Sequence, residues 1–212
     1  MARPWDTGDL DQNWSGYFIP GTEVLRNRVG ATMPDDLRDA ENDLVEVRVL
    51  ELREAPEIVG RRTYYLDYLC AIHRQLFQDV YDWAGELRTV GIEKDDEAFC
   101  PPGNIAQPMV HVAREIHRLG RLRSVARPDL PRVVTYLYDY VNFAHPFREG
   151  NGRSTREFFD LLLSERAAGL DWQRTDLGEM HDACHAARGD QDLSLLEGMF
   201  GRILDSDPAY DF

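Results

Sequence analysis

The chain has 212 residues, of which 43% are hydrophobic and 29% charged, and this composition suits a single globular domain rather than a disordered chain. Its formal net charge of −14 argues against direct binding of nucleic acid or of a membrane surface, because both need an accessible positive field. Three widely spaced cysteines and the lack of an apolar N-terminal segment favour a reducing compartment, so we expect a cytoplasmic location.

Hydrophobic periodicity predicts a largely α-helical chain. Residues 1–20 are interpreted as an irregular N-terminal arm whose aromatic side chains pack on the body, residues 21–204 as one domain, and residues 205–212 as a C-terminal tail. Apolar residues recur every three or four positions in several segments, which is the period of a helix. The predicted helices cover 21–28, 34–54, 63–80, 105–119, 128–143, 152–168, 177–187 and 193–204.

One β-hairpin interrupts the helical pattern. Residues 87–92 and 98–100 are β-like, and the polar residues 93–97 lie between them as a turn. An isolated hairpin is only marginally stable in water, so we expect this one to lie on the helical body. The predicted fold class is therefore all-α with one small hairpin.

The segment 145–156 reads His-Pro-Phe-Arg-Glu-Gly-Asn-Gly-Arg-Ser-Thr-Arg and separates two strongly apolar helices. Pro146 disfavours helical geometry at the residue before it, so the preceding helix should end at about His145. Gly150 and Gly152 allow close backbone approach, and the free amides at the start of the next helix form a natural phosphate site. The imidazole of His145 titrates near neutral pH and suits proton abstraction.

Three charged residues complete this segment. Arg153 and Arg156 have the i,i+3 spacing that places both on one helical face, where two guanidinium groups suit a polyphosphate. Glu149 offers a hard oxygen ligand for a Mg²⁺ ion that bridges a nucleotide. Taken singly, the glycines could form a simple turn and the arginines a solvated face. Their joint occurrence favours nucleotide binding with proton abstraction from a hydroxyl.

The same twelve residues match the His-x-Phe-x-Asp/Glu-Gly-Asn-Gly-Arg-x-x-Arg motif of Fic-domain proteins. The chain resembles that family over most of its length, including segments 72–77 and 81–88, and segment 17–21 is similar to the compact bacterial toxin branch (class I). The resemblance implies the Fic fold, a helical bundle with the hairpin as a flap beside the active site. It also implies a protein adenylyltransferase, which moves AMP from ATP to a hydroxyl side chain of a target protein.

The resemblance also implies a role for each motif residue. His145 would be the catalytic base and Glu149 the Mg²⁺ ligand. The flap would register an extended target segment by strand pairing, and its candidate residues are Ile92, Phe99 and Lys94, the only lysine of the chain. The nucleotide-binding candidates are Phe147, Gly150, Asn151, Gly152, Arg153 and Arg156.

Many Fic proteins carry a Ser/Thr-x-x-x-Glu-Gly/Asn inhibitory helix, and this pattern is missing here. Thr175 and Glu179 have the spacing, but Met180 follows, and Ser194 stands one residue too close to Glu197. The resemblance therefore implies a small antitoxin on a separate chain, whose glutamate would approach the second arginine, Arg156. The toxin branch further suggests a bacterial topoisomerase subunit, modified on tyrosine, as the target.

Two alternatives stay open at this point. The chain could transfer another phosphate-containing group, or it could be a non-catalytic Fic-fold binding partner. A binding module has no need of His145, so the intact motif favours the enzyme. A possible metal corner at His181, Cys184 and His185 is less favoured than a plain helix surface, and no Walker-type phosphate loop is present.

Overall fold

The computed structural model describes residues 3–94 and 97–205. The fold is mostly helical, as the sequence predicts, and within the described ranges no helix is long and apolar enough to cross a lipid bilayer. The α-helices of these ranges are α1 (Leu10–Gly16), α2 (Pro34–Glu54), α3 (Leu66–Phe77), α4 (Ala106–Arg118), α5 (Leu130–Ala144), α6 (Asn151–Ser164), α7 (Leu177–Gly189) and α8 (Ser194–Ile203).

Helix α2 begins and ends where its sequence signals predict. Pro34 occupies the first turn, and Asp35 and Asp36 place negative charge beside the free amides there. The helix ends at Glu54, shortly before Pro56. Its buried face packs on α3, which in turn packs on α6, so α2 lies within reach of the motif segment.

Helices α5 and α6 form the centre of the molecule and are joined by the motif segment. The apolar face of α5 is fully buried, and α5 packs against α4, α6 and α8. Helix α6 buries two adjacent phenylalanines, Phe158 and Phe159, together with three leucines. The six-residue loop 145–150 is consequently anchored at both ends by helices that cannot shift without opening the core.

Among the residues that the structure describes, two small antiparallel sheets accompany the helices. In the predicted hairpin, β1 (Glu93–Lys94) pairs with β2 (Glu97–Ala98), and Lys94 lies opposite Glu97. The predicted strand bounds are wrong: residues 87–92 form no strand, and three of the four paired residues fall in the predicted turn 93–97. The backbone before the pair is engaged elsewhere, since the Arg88 amide donates to the Pro146 carbonyl over 2.9 Å. A second pair, β3 (Gly169–Leu170) with β4 (Leu204–Asp205), is not signalled by the sequence pattern.

The N-terminal region differs most from the prediction. The arm contains α1, and the helix predicted over 21–28 is wrong, because this segment turns at Gly21 and runs back along the arm. Phe18 forms an isolated bridge with Leu25, and Arg26 donates its amide to the Tyr17 carbonyl over 2.8 Å. Two aromatic side chains of the arm pack on the body as predicted, with Trp5 7% and Tyr17 1% exposed, whereas Trp14 is 43% exposed. The predicted tail beyond residue 205 lies outside the described residues.

Candidate active site

The site is built on the end of α5. Helix α5 ends at Ala144, and His145 follows in a left-handed backbone conformation with φ of 39°. Its amide still donates to the Val141 carbonyl over 3.2 Å. Pro146 disfavours right-handed helical geometry at His145, so the predicted end of the helix is confirmed with its physical reason.

The loop closes on itself through Asn151. The Phe147 amide donates to Asn151 Oδ1 over 2.9 Å, and Asn151 Nδ2 donates to the Phe147 carbonyl over 2.8 Å. Both side chains are buried, that of Phe147 at 0% exposure. Of these two predicted nucleotide ligands, Phe147 therefore fixes the loop, and Asn151 has only its backbone amide free for a phosphate.

Gly150 is required by close packing at the start of α6. Its φ is +81°, and a Cβ at this position would lie 2.3 Å from the Phe77 ring, which no side chain could tolerate. Helix α6 begins at Asn151, one residue before the predicted start. Gly152 is exposed, and a Cβ there would meet nothing within 4 Å, so open space lies beside the first turn of α6.

A buried histidine outside the motif, His73, supports the loop through a hydrogen bond to its backbone. His73 Nδ1 accepts from the Gly85 amide over 2.8 Å, so its Nε2 carries the proton and donates to the Glu149 carbonyl over 3.0 Å. Its ring stacks on Phe147 with centroids 3.8 Å apart. Burial lowers the pKa of His73 to about 3, so the ring is neutral. In the sequence His73 lies on an apolar helix face and carries no sign of this contact.

Arg88 joins the flap to the end of α5. The side chain is only 2% exposed, and its guanidinium donates to the carbonyls of His145 over 2.7 Å, of Val90 over 2.6 Å and of Cys100. The positive charge thus lies at the carbonyl-rich end of α5, where it is electrostatically favourable. Sequence reasoning missed this role, although a charged residue inside an apolar, β-like segment was an available signal.

The flap covers His145. The Phe99 ring stacks on the imidazole with centroids 3.7 Å apart and an interplanar angle of 22°, and the Phe99 amide donates to the Ile92 carbonyl over 3.0 Å. The pKa of His145 is lowered to about 3, mainly by burial and to a smaller extent by the positive charge of Arg88. The imidazole is therefore neutral at physiological pH, and the expectation from the sequence that it titrates near neutral pH is wrong, because its surroundings disfavour the charged form. Lys94, on β1, is exposed.

Helix α7 holds the other side of the flap. Glu97 pairs with His185 Nδ1 over 2.8 Å and with Arg188 Nε over 2.9 Å. The Arg188 guanidinium also lies over the Phe99 ring, 4.7 Å from its centroid. Phe99 is thereby in contact with both His145 and Arg188. Of the three residues considered as a metal corner, His185 contacts Glu97 and Cys184 is buried.

Glu149 has the exposure that a magnesium ligand needs. Its carboxylate accepts from the Gly150 amide over 3.0 Å, and its side chain is open to solvent beside the start of α6. Protein-bound Mg²⁺ typically takes one or two carboxylates together with substrate phosphates and water. A single exposed carboxylate next to an amide-rich helix start fits that ligand set.

The two motif arginines line one cavity, as their spacing predicts. This cavity, of about 280 Å³, lies between α2 and α6, with Asn42 and Trp172 also in its wall. The Arg153 guanidinium lies over the Phe77 ring, 4.9 Å from its centroid, and the Arg156 guanidinium lies over the Trp172 ring at 5.1 Å. Both cations are therefore held by aromatic rings from outside the motif.

A buried carboxylate lies beside the Arg156 cation–π pair. Asp160 Oδ2 accepts from Trp172 Nε1 over 2.9 Å. The pKa of Asp160 is raised to about 8, mainly by burial and to a smaller extent by the negative charge of Glu157. Asp160 is thus mainly protonated at neutral pH, and it fixes the ring on which Arg156 lies. The sequence gives no signal of this pair, because Asp160 falls within an apolar helical run.

Comparisons with known proteins agree with this architecture. The sequence model of the Fic/DOC family matches residues 63–163. "Probable protein adenylyltransferase Fic" of Salmonella typhimurium is 33% identical over 189 residues, which are 89% of this chain and 91% of that protein. "Protein adenylyltransferase VbhT" of Bartonella schoenbuchensis is 34% identical over 164 residues, which are 77% of this chain and 34% of that longer protein.

Solved structures confirm the predicted fold. The BepC effector protein of Bartonella tribocorum, with bound AMPPNP, has a TM-score of 0.81 at 22% identity, over 90% of this chain and 97% of that one. The ADP-bound N-terminal Fic domain of a Bartonella quintana effector has a TM-score of 0.82 at 20% identity, over 90% and 95% of the two chains.

Proposed function

Because the chain belongs to the Fic/DOC family, we propose that it is a protein adenylyltransferase, which moves AMP from ATP to a hydroxyl side chain of another protein. The observation that carries the proposal is the joint placement of the motif residues. A neutral His145 lies under the flap at the end of α5, and Arg153 and Arg156 line a cavity at the start of the next helix. The names of the relatives at 33% and 34% identity support the same reaction.

The start of α6 is the proposed phosphate site. The backbone amides from Asn151 onward and the positive end of the helix dipole favour anions there, and the exposed Gly152 leaves room for close approach. Arg153 and Arg156 would bind the β- and γ-phosphates from the adjoining cavity. Glu149 would hold Mg²⁺, which neutralises phosphate charge when bound.

The chemical step would use His145 as a general base. The target's hydroxyl loses its proton to the imidazole as its oxygen forms a bond to the α-phosphorus of ATP. The bond from the α-phosphorus to the bridging oxygen breaks, and pyrophosphate leaves with the electron pair, its charge balanced by Arg153 and Arg156. Such a transfer depends mainly on positioning and charge neutralisation, which are what these residues supply.

A labelling experiment tests the reaction class. The chain is incubated with bacterial lysate and ATP carrying the label on either the α- or the γ-phosphate, and His145→Ala serves as the matched control. We expect a protein band labelled from the α-phosphate that is lost in the control. Labelling from the γ-phosphate would instead indicate phosphoryl transfer. No labelling with tight retention of a partner would indicate a non-catalytic binding protein.

Control by a separate antitoxin is the finer part of the proposal. The cavity beside Arg156 has Val45 and Val49 in its wall as well as the two arginines, so it could take a short apolar segment that carries a glutamate. Of the chain's two partial matches to the inhibitory motif, the one at Thr175 is engaged elsewhere, since Glu179 pairs with Arg202 and accepts from Thr175 over 2.9 Å. A topoisomerase subunit as the target stays a proposal from the resemblance to the toxin branch.

The antitoxin proposal predicts that the isolated chain is active. Glu179→Ala and Glu197→Ala should therefore leave AMP transfer unchanged in the labelling assay. If the unsubstituted chain were inert and either substitution switched it on, the restraint would lie within this chain and the antitoxin proposal would be overturned.

A further inference from the structure

Arg153 is held in place by a residue far from the motif. Glu41, on α2, accepts a hydrogen bond from Arg153 Nη2, although the two residues are 112 positions apart. The neighbouring Asn42 Oδ1 lies 3.5 Å from Arg153 Nη1. Glu41 is only 7% exposed, so its charge is largely removed from water and needs this cation as a partner.

The Glu41 carboxylate is itself fixed. It also accepts from the Tyr81 hydroxyl, and Tyr81 is 2% exposed and stacks on Trp83 with centroids 4.2 Å apart. The Glu41 carboxylate therefore keeps its position and restricts the movement of the Arg153 guanidinium. On its other side, Arg153 lies over the Phe77 ring. The guanidinium is confined by a fixed acceptor and a fixed ring.

The confinement leaves Arg153 free to bind a ligand. A guanidinium has five N–H donors, and the contacts with Glu41 and Asn42 use two of them. Arg153 lines the cavity between α2 and α6, and so do Asn42 and Glu46, whereas Glu41 is not part of the cavity wall. Glu41 thus contacts Arg153 from outside the cavity and does not occupy the space where an anion would bind.

We propose that Glu41 is a positioning residue, which orients Arg153 for the β- and γ-phosphates of the nucleotide. This inference rests on the proposed function. Glu41 touches no reacting atom, and its effect passes through Arg153. The opposite possibility, that Glu41 competes with the phosphates for Arg153, predicts tighter nucleotide binding when its charge is removed.

Calorimetric titration with AMPPNP and Mg²⁺, and separately with AMP, distinguishes these possibilities without a protein target. Glu41→Ala should weaken AMPPNP binding by about tenfold, the effect of one misplaced charge-assisted contact, and change AMP binding by less than about twofold. Glu41→Gln keeps an oxygen acceptor and should recover most of the affinity. Asp43→Ala removes an exposed carboxylate from the same helix and should change neither affinity.

A double-mutant cycle shows whether Glu41 acts through Arg153. In the Arg153→Ala background, Glu41→Ala should cause no further loss of AMPPNP affinity. Tighter or unchanged AMPPNP binding by Glu41→Ala would overturn this inference alone, and so would an equal loss for AMPPNP and AMP. No AMPPNP binding by the unsubstituted chain would overturn the proposed function as well.

Discussion

Two histidines, His73 and His145, lose their charge for the same reason and take different places in the site. Burial lowers the pKa of each to about 3. The ring nitrogens of His73 are both engaged by backbone groups, so His73 supports the loop at Glu149. The His145 ring lies under Phe99, at the place proposed for the target's hydroxyl. The difference lies in the partners of each ring and not in its charge state.

The His73 pKa predicts a pH-dependent contribution to stability. The folded state binds this proton only near pH 3 and the unfolded state near pH 6.5, so the contribution is full above pH 6.5 and is lost as the pH falls. Compared with His73→Asn, the unsubstituted chain should lose unfolding free energy by about 1.4 kcal/mol per pH unit between pH 6 and 4. Urea unfolding at several pH values measures this difference. A difference that does not vary with pH would contradict the assignment.

At the scale of elements, Arg88 ties the flap to α5. Replacement by methionine keeps the aliphatic stem but leaves the carbonyls of His145, Val90 and Cys100 without their buried donor. We expect Arg88→Met to lower the free energy of unfolding by about 3 kcal/mol, since each unsatisfied buried acceptor costs on the order of 1 kcal/mol or more. Arg127→Met, at an exposed position, is the control and should change stability little. Equal stability of the two variants in urea would refute this role.

Helix α7 restrains the flap from the other side. Glu97→Gln weakens the contacts with His185 and Arg188, so amide exchange in the flap should speed up, most clearly at the Phe99 amide that bonds to Ile92. Hydrogen exchange read by mass spectrometry measures this, with unchanged protection expected in α3. Glu93→Gln changes an exposed glutamate on the neighbouring strand and should have no such effect. Equal exchange in both variants would show that α7 does not restrain the flap.

At the scale of the whole molecule, local signals predicted most of the fold. Helical periodicity predicts the long helices, and Pro34 predicts the start of α2. Pro146 predicts the end of α5. The segment 21–28 was predicted wrongly because its apolar residues pack in an extended strand-like pair, which the short pattern does not distinguish from a helix turn. The pairing of β3 with β4 depends on contacts between distant segments and leaves no local pattern.

In the candidate site, too, residues with a local sequence signal were predictable and residues from distant segments were not. The motif from His145 to Arg156 was predictable because its chemistry is contiguous in sequence. The residues that hold it, Glu41, His73 and Arg88, come from other segments and meet the motif only in the folded chain. Each is a buried polar side chain, and the sequence alone does not show what it contacts.

Mass spectrometry of lysate proteins after incubation with the chain and ATP tests the central claim most directly. We predict an AMP group esterified to a serine, threonine or tyrosine hydroxyl of a lysate protein, absent when His145→Ala replaces the unsubstituted chain. The modified residue would also identify the target and show whether it belongs to a topoisomerase subunit. A phosphate group without adenosine, or the same AMP adduct produced by His145→Ala, would contradict the account.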